Sequence, residues 1–343
     1  MSAQAERPLL RGRRKYITLA LAAIAASGAA MLADHLSRRT IHREFSPMLT
    51  AARTMQHASQ IIRAEKEARG LMQPPAIDPN QTGMIGHEYT SITTTLGDIG
   101  SKRTATNPDL AAVLVRLLSS LDLPRGAPVV MITSGSFVGG NVAAIAAAES
   151  LGLKPFIIAS LSSSMYGAND PDFNWLDMLT LLRQKGILRS SPIAAVIGGE
   201  GATGASMDRE GRLALAQAAQ RHGVELVEKR PWSALVDELM TRVDRALPAG
   251  AKAAVVVNVG GAIIGLGTCR ESYELPPGLT RAVSCHDGVP GLAFRLAENG
   301  TPMLNVINFR RLAVEFGLPF DPVPLPAPGN NPSVYGSMKN GPN

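Results

Sequence analysis

Val129-Val130-Met131-Ile132-Thr133-Ser134-Gly135-Ser136-Phe137-Val138-Gly139-Gly140-Asn141 is an apolar, largely β-branched run that breaks into a loop of serine and glycine. It reads as strand, loop and helix, with Asn141 as the N-cap of the alanine-rich segment that follows. The same alternation continues outward. Strands are expected at 129–133, 155–160, 193–197, 224–227, 254–259 and 303–308, with helices at 141–152, 208–222 and 232–246 between them. The strands are continuous apolar runs such as Ala254-Val255-Val256-Val257-Asn258-Val259 rather than clean alternations. Such runs belong to a parallel sheet covered on both faces. The expected fold class is therefore α/β, an open, doubly wound, mostly parallel sheet with glycine-rich loops at the strand C-termini, preceded by one N-terminal transmembrane helix. Too few units are present to close a barrel.

The N-terminal part reads differently. Arg11 to Lys15 form a basic block before the uncharged run Tyr16 to Ala33, which is at the lower edge of the length that spans about 30 Å of hydrocarbon as a helix. A cleaved secretory signal is the alternative, and Arg13-Arg14 admits a twin-arginine reading. Met31 spoils a small-x-small cleavage site before Asp34, so a retained anchor is favoured. The basic excess ahead of the span places the N-terminus in the cytoplasm and the body outside, although Arg38, Arg39 and Arg43 weaken that assignment. The expected location is the inner (cell) membrane, single-pass.

The expected organisation is a basic tail over 1–15, the span over 16–33, a juxtamembrane helix and linker over 34–80, the α/β domain over 81–317 and a Pro/Gly-rich, extended or disordered tail over 318–343. The helix at 44–70 is read either as a stalk or oligomerisation helix, allowing a homo-oligomer, or as a helix packed on the body. A further helix is expected from Asn107-Pro108-Asp109 through Leu121, and another at 290–299.

Charge and composition exclude several function classes. Residues 1–43 carry eight basic side chains against Glu6 and Asp34, which accounts for the whole formal charge of +6, so the body is neutral. With aromatics at 4%, neither a basic face nor stacking platforms for nucleic acid are expected. The two cysteines, Cys269 and Cys285, are too few for a disulfide scaffold. Outside the cytoplasm they could pair, for about 3 kcal/mol in the chain-entropy model, and inside they stay reduced. No His/Cys/Asp cluster has zinc spacing, so no metal and no cofactor are expected.

In an open parallel sheet, ligands bind beyond the C-terminal ends of the strands. Ser134, Gly135 and Ser136 follow the first strand, Ser160, Ser162, Ser163 and Ser164 with Tyr166 and Asn169 the second, Gly199 and Glu200 the third, and Asn258, Gly260 and Gly261 the fifth. With Asn141, and with Lys102 and Arg103 as cations in a loop, they are expected to converge on one polar rim for a carboxylate, amide or phosphate ligand. There is no GxxxxGK[ST] and no GxSxG, which removes P-loop and α/β-hydrolase readings. The loop after the first strand is Gly135-x3-Gly139-Gly140 rather than GxGxxG, and the second strand ends in serines where a dinucleotide fold places its ribose-binding acid, which weakens a dinucleotide reading. Candidate catalytic residues are Ser136 and Glu200 on the rim, together with Cys285, His286 and Asp287. Adjacency is not triad geometry, because neighbours in an extended segment point to opposite sides. A polar turn with a half-buried His286 is the plainer alternative.

Gly86-His87-Glu88-Tyr89-Thr90-Ser91-Ile92-Thr93-Thr94-Thr95-Leu96-Gly97 with Lys102-Arg103-Thr104 and Asn107-Pro108, then Thr133-Ser134-Gly135-Ser136-Phe137, Tyr166-Gly167-Ala168-Asn169, Asn258-Val259-Gly260-Gly261 and His286-Asp287-Gly288-Val289-Pro290-Gly291 together resemble the poly-γ-glutamate system protein family over residues 40–330. The resemblance implies a membrane-anchored component that helps make, export or process an extracellular anionic polymer, with synthase and export components as partners. It supplies no reaction. One departure is Val138-Gly139-Gly140 after Phe137, where the resemblance leads one to expect a proline or a bulkier apolar residue. Three readings follow: an accessory protein that binds a glutamyl ligand or the anionic polymer at the rim, a hydrolase or transferase acting on γ-glutamyl amide bonds, and a scaffold for the synthase with an empty rim.

Overall fold

A computed structural model of the chain describes residues 16–28, 40–281 and 283–337. The chain divides into two units, one reaching His42 and resuming at Gly336, the other Arg43–Tyr335. In the first, residues 16–28 form helix α1, and strand β1 (Thr40–Ile41) pairs antiparallel with β10 (Gly336–Ser337). Helix α1 covers the first part of the uncharged run read as a membrane span. Residues 29–33 of that run, and the basic tail 1–15, lie outside the described residues. Among the described residues no helix is long and apolar enough to cross a membrane.

The second unit opens with α2 (Phe45–Arg69), β2 (Thr93–Thr95), α3 (Ile99–Thr104) and α4 (Asp109–Ser119). The alternation then runs β3 (Pro128–Ser134), α5 (Val138–Ser150), β4 (Lys154–Ser160), β5 (Ser163–Ser164), α6 (Trp175–Gln184), β6 (Pro192–Val196), α7 (Arg209–Arg221) and α8 (Trp232–Ala246). It continues through β7 (Val255–Val259), α9 (Ile263–Leu266), β8 (Gly278–Thr280), α10 (Leu292–Glu298), β9 (Met303–Val306), α11 (Phe309–Phe316) and α12 (Pro332–Tyr335). Six strands form one sheet in the order β6-β4-β3-β7-β9-β8. All pairs are parallel except β8 with β9. The fold is thus α/β with a mostly parallel sheet.

Side chains along the strands alternate between two separate cores. Val129, Met131, Ile157, Val255 and Val257 face one core with α2, α4, α5 and α6. Val130, Ile132, Ile158 and Val256 face the other, with α8 and α10. Burial on both faces is why the strands read as unbroken apolar runs.

Two local readings change, and two that stood as alternatives are resolved. The run at 224–227 is no strand: it makes a single bridge, Leu226 to Ala195, and the sixth place in the sheet goes to β8. That strand is a three-residue edge with no apolar run to announce it. Helix α5 begins at Val138 rather than Asn141, because Gly139 lets its first turn approach the backbone closely. A Cβ at Gly139 would lie 2.1 Å from the Ala105 carbonyl oxygen. Helix α2 is packed on the body and is not a free stalk: Met48, Ala51, Ala52, Met55, Ala58 and Ile62 are fully buried. Finally, the tail from Leu318 has little regular structure, yet it is fastened. Arg103 pairs with Asp321 at 3.2 Å, Asn80 donates to the Pro322 carbonyl, and Tyr335 donates to the buried Asp109 carboxylate at 2.6 Å. Burial pushes the Asp109 carboxyl up to about 6.

Gly139→Ala is expected to cost about 1–3 kcal/mol, the usual penalty for forcing an atom into a packed site. Gly261→Ala, where nothing lies within 4 Å of the new atom, should be near neutral. Urea unfolding of the two variants checks the contrast.

Candidate functional site

From β3 the chain moves through α5 to β4 and then to β6 on one side, and later crosses to β7 on the other side of β3. The loops after β3 and β7 therefore diverge, and a crevice opens between them. A cleft of about 650 Å³ occupies this place. Its lining comes from every expected loop: Ser134, Ser136 and Phe137 after β3; Ser160, Ser162 and Ser164 after β4; Gly199, Glu200 and Ser206 after β6; Gly261, Ala262 and Ile263 after β7. Thr94 to Asp98, Ser101 and Lys102 close the fifth side.

The floor is held by backbone and side-chain bonds between loops. Asn141, fully buried, accepts from the Ser134 N–H at 3.2 Å and donates to the Ser134 carbonyl at 2.7 Å. The Ala168 N–H and the Ser163 hydroxyl donate to the Gly135 carbonyl. The Ser164 N–H donates to Ser136 Oγ at 3.0 Å. Gly198, at φ 91°, has no room for a side chain, since a Cβ would fall 2.4 Å from Ser162 Oγ.

Lys102 is the cation of the cleft. Asp98 caps α3 by accepting from the Ser101 N–H at 2.8 Å, and the resulting short helix directs Lys102 inward. Its residue is 3% exposed. Nζ donates to the Ser136 carbonyl and, at 2.6 Å, to Ser164 Oγ, and it lies 3.9 Å from the centre of the Phe137 ring. That ring stacks on Phe309 at 4.4 Å. An ammonium has three donors, so one remains after these two bonds. Burial pushes the Lys102 ammonium down to about 7, while the Asp98 carboxylate acts in the opposite direction. Of the other charged groups around the cleft, Glu200 stands exposed at the lip, and the β3, β4 and β7 loops contribute hydroxyls, carbonyls and apolar groups.

The remaining expected site residues separate into three groups. Ser134, Ser136, Ser162, Gly199, Glu200 and Gly261 line the cleft with Lys102. Gly135, Asn141, Tyr166, Asn169, Asn258 and Gly260 shape it from behind. Asn169, for example, clasps the His87 backbone through both amide atoms, and Asn258 donates to the Gly260 carbonyl at 3.0 Å. Arg103 points away, bonding the Ala76 and Ile77 carbonyls and Asp321, because adjacent helical residues are turned about 100° apart.

Cys285, His286 and Asp287 lie outside the cleft lining. Cys285 is joined to Cys269 in a disulfide and has no thiol to offer as a nucleophile. His286 is not half-buried: its side chain is 78% exposed and bonds Glu271 at 2.6 Å. Asp287 accepts from the Arg270 N–H. Among the described residues, no cluster of three or more His, Cys, Asp or Glu could hold a metal ion.

The wall from Thr94 to Ser101, with Ser206 and Ile263, is not among the expected rim residues. The N-cap pattern of Asp98 three residues before Ser101 could have placed α3 and separated Lys102 from Arg103. No family model matches the chain, and no curated protein matches it. Among solved structures, an archaeal alanine:glyoxylate aminotransferase aligns with 92% of this chain and 67% of its own at 14% identity and a TM-score of 0.16, a likeness too slight to bear on fold or function.

The folded-state value of Lys102, about 7, lies below its ordinary 10.5. Between the two, the unfolded chain binds a proton that the native chain lacks, so Lys102 makes stability rise with pH. Its burial penalty is full below pH 7 and is relieved above it. Replacing Lys102 by Met removes that dependence. The stability of Lys102→Met minus that of the parent should fall by up to about 1.4 kcal/mol per pH unit between pH 7 and 9. Urea unfolding across pH checks this, and a flat difference would show that Lys102 titrates as it does in water.

Proposed function

We propose that this chain is a membrane-anchored accessory protein of poly-γ-glutamate biosynthesis or export, and that it binds a glutamyl ligand in the cleft beside β3. The observation that carries the reading is the buried Lys102 ammonium with a donor to spare in a cleft walled by hydroxyls. A carboxylate is the natural acceptor for that donor. Glu200 at the lip and Asp98 make the cleft mixed in charge. Mixed charge suits a glutamyl end, with its amine or amide N–H beside its carboxylates, better than a bare polyanion. Arg103, engaged in holding the tail, has no part in this.

Placement outside the cytoplasm draws support from the Cys269–Cys285 disulfide, a bond that persists in oxidising compartments. Anchoring rests on the basic block and the uncharged run at the N-terminus, and the partners proposed are the membrane and the synthase and export components. Protease added to cells stripped of wall and outer membrane, with the cell membrane sealed, is expected to digest the body of the protein, and full protection would reverse the orientation.

Titration calorimetry of the full chain with a defined oligo-γ-glutamate tests the ligand. Binding should be tighter at pH 6 than at pH 8.5, because the ammonium form of Lys102 holds the carboxylate, and Lys102→Met should weaken it about tenfold or more, as expected for a charge-assisted bond. An affinity indifferent to pH and to Lys102→Met removes the assigned role.

A further inference from the structure

Ser164 and Lys102 are 62 positions apart in sequence, and no motif links them. β5, which carries Ser164, pairs in parallel with β2, and β2 leads directly into α3, which carries Lys102. That small two-strand unit sets Nζ 2.6 Å from Ser164 Oγ. Both residues line the cleft. The Ser164 N–H is taken by Ser136 Oγ, which fixes the backbone behind the hydroxyl and leaves the Ser136 proton free to donate into the cleft.

We propose that Ser164 and Lys102 are a nucleophile and base that cleave amide bonds of glutamyl chains held in this cleft, an inference that rests on the glutamyl-binding reading above. Ser136, which the sequence points to first, is the neighbour and not the nucleophile, because Lys102 reaches its carbonyl oxygen rather than its hydroxyl.

Each step balances. Ser164 Oγ bonds to the amide carbonyl carbon as its proton passes to the neutral Nζ of Lys102. The C–N bond breaks, and that proton leaves Nζ with the departing amine. Water then attacks the Ser164 acyl ester, giving one proton to Nζ. The ester C–O bond breaks, Ser164 Oγ recovers the proton, and a carboxylic acid is released. A lysine can act as this base only when its amine is neutral near working pH, and burial without a paired carboxylate is the usual way to make it so. The charged group that bears on its titration is Asp98, the N-cap of its own helix; Glu200, the other carboxylate lining the cleft, stands exposed at the lip. The product is also the ligand of the preceding reading, since a newly formed carboxylate lies where a protonated Lys102 would hold it. Lys102 as a mere staple between two loops would give the same distances but no turnover.

The test uses purified full chain and a γ-linked glutamate decamer. New amino termini are counted with a fluorogenic amine reagent between pH 5.5 and 9, beside calorimetric binding of the same decamer. Turnover should rise about tenfold per pH unit and level off above pH 7, following the base form of the lysine. Ser164→Ala should lose about 100-fold or more of the rate at saturating decamer, its affinity being measured alongside so that weakened binding is not counted as lost turnover. A second measurement needs no variant: the p-nitrophenyl γ-ester of glutamate should leave a glutamyl adduct on the tryptic peptide containing Ser164. Binding without amine release or adduct overturns the catalytic pair and leaves the binding reading standing. Turnover that survives Ser164→Ala places the nucleophile elsewhere and overturns the pair. Absence of binding removes both readings together.

Discussion

Strand β3 lies between β4 and β7, and the chain leaves it in opposite directions on its two sides. Everything at the cleft depends on that constraint. Val129 and Met131 are locked into one core and Val130 and Ile132 into the other, each side chain contributing about 1.5–3 kcal/mol by burial. A strand held on both faces cannot slide by a residue without moving every side chain into the wrong core. Its C-terminal end is therefore a fixed point, and Asn141 bonds both backbone groups of Ser134, carrying the fixation into the loop. The cleft is rigid where it meets the sheet.

Against that floor, Lys102 is costly. Taking an ammonium out of water costs several kcal/mol even after relaxation. The Ser136 carbonyl, the Ser164 hydroxyl and the Phe137 ring offset part of this, the ring by about 2 kcal/mol for a desolvated cation. Lys66 makes the useful comparison. It is as deeply buried, on α2 itself, and donates to the Ile85 carbonyl at 3.0 Å, but Asp170 and Asp78 both pull its proton affinity back up, to about 8. Lys66 is neutralised by its surroundings and sits away from the cleft. Lys102 has only Asp98 acting for it, and it opens onto solvent-accessible space. An imbalance of this kind, placed at a topological switch point, is found more often at functional sites than in packed cores.

The sheet was legible because burial on both faces writes an unbroken apolar run, as in Ala254 to Val259. The edge strand β8 was not, because three residues that pair on one side have no such signature, whereas Val224 to Val227 imitates one and makes a single bridge. The convergence of the serine and glycine loops followed from strand direction alone. The inward cation did not: Lys102 and Arg103 read as one basic pair until α3 turned them apart, sending one into the cleft and the other to Asp321. Asn141 was legible as an important polar residue with the wrong role, since an amide that caps a helix and an amide that bonds backward to a strand end occupy nearly the same place in sequence.

Cys285, His286 and Asp287 show why proximity in sequence misleads about chemistry. In an extended turn their side chains diverge, and each is spent locally, on Cys269, Glu271 and the Arg270 N–H. Ser164 and Lys102 meet because β2 and β5 pair side by side. The two forms of that lysine also bind the two readings of the cleft into one. As an ammonium it is proposed to hold a carboxylate, and as an amine to take a proton from the hydroxyl beside it. A group whose burial sets the exchange near pH 7 sits at the boundary between those two proposed roles, so under the proposal one residue retains a glutamyl end at lower pH and acts on its amide bond at higher pH.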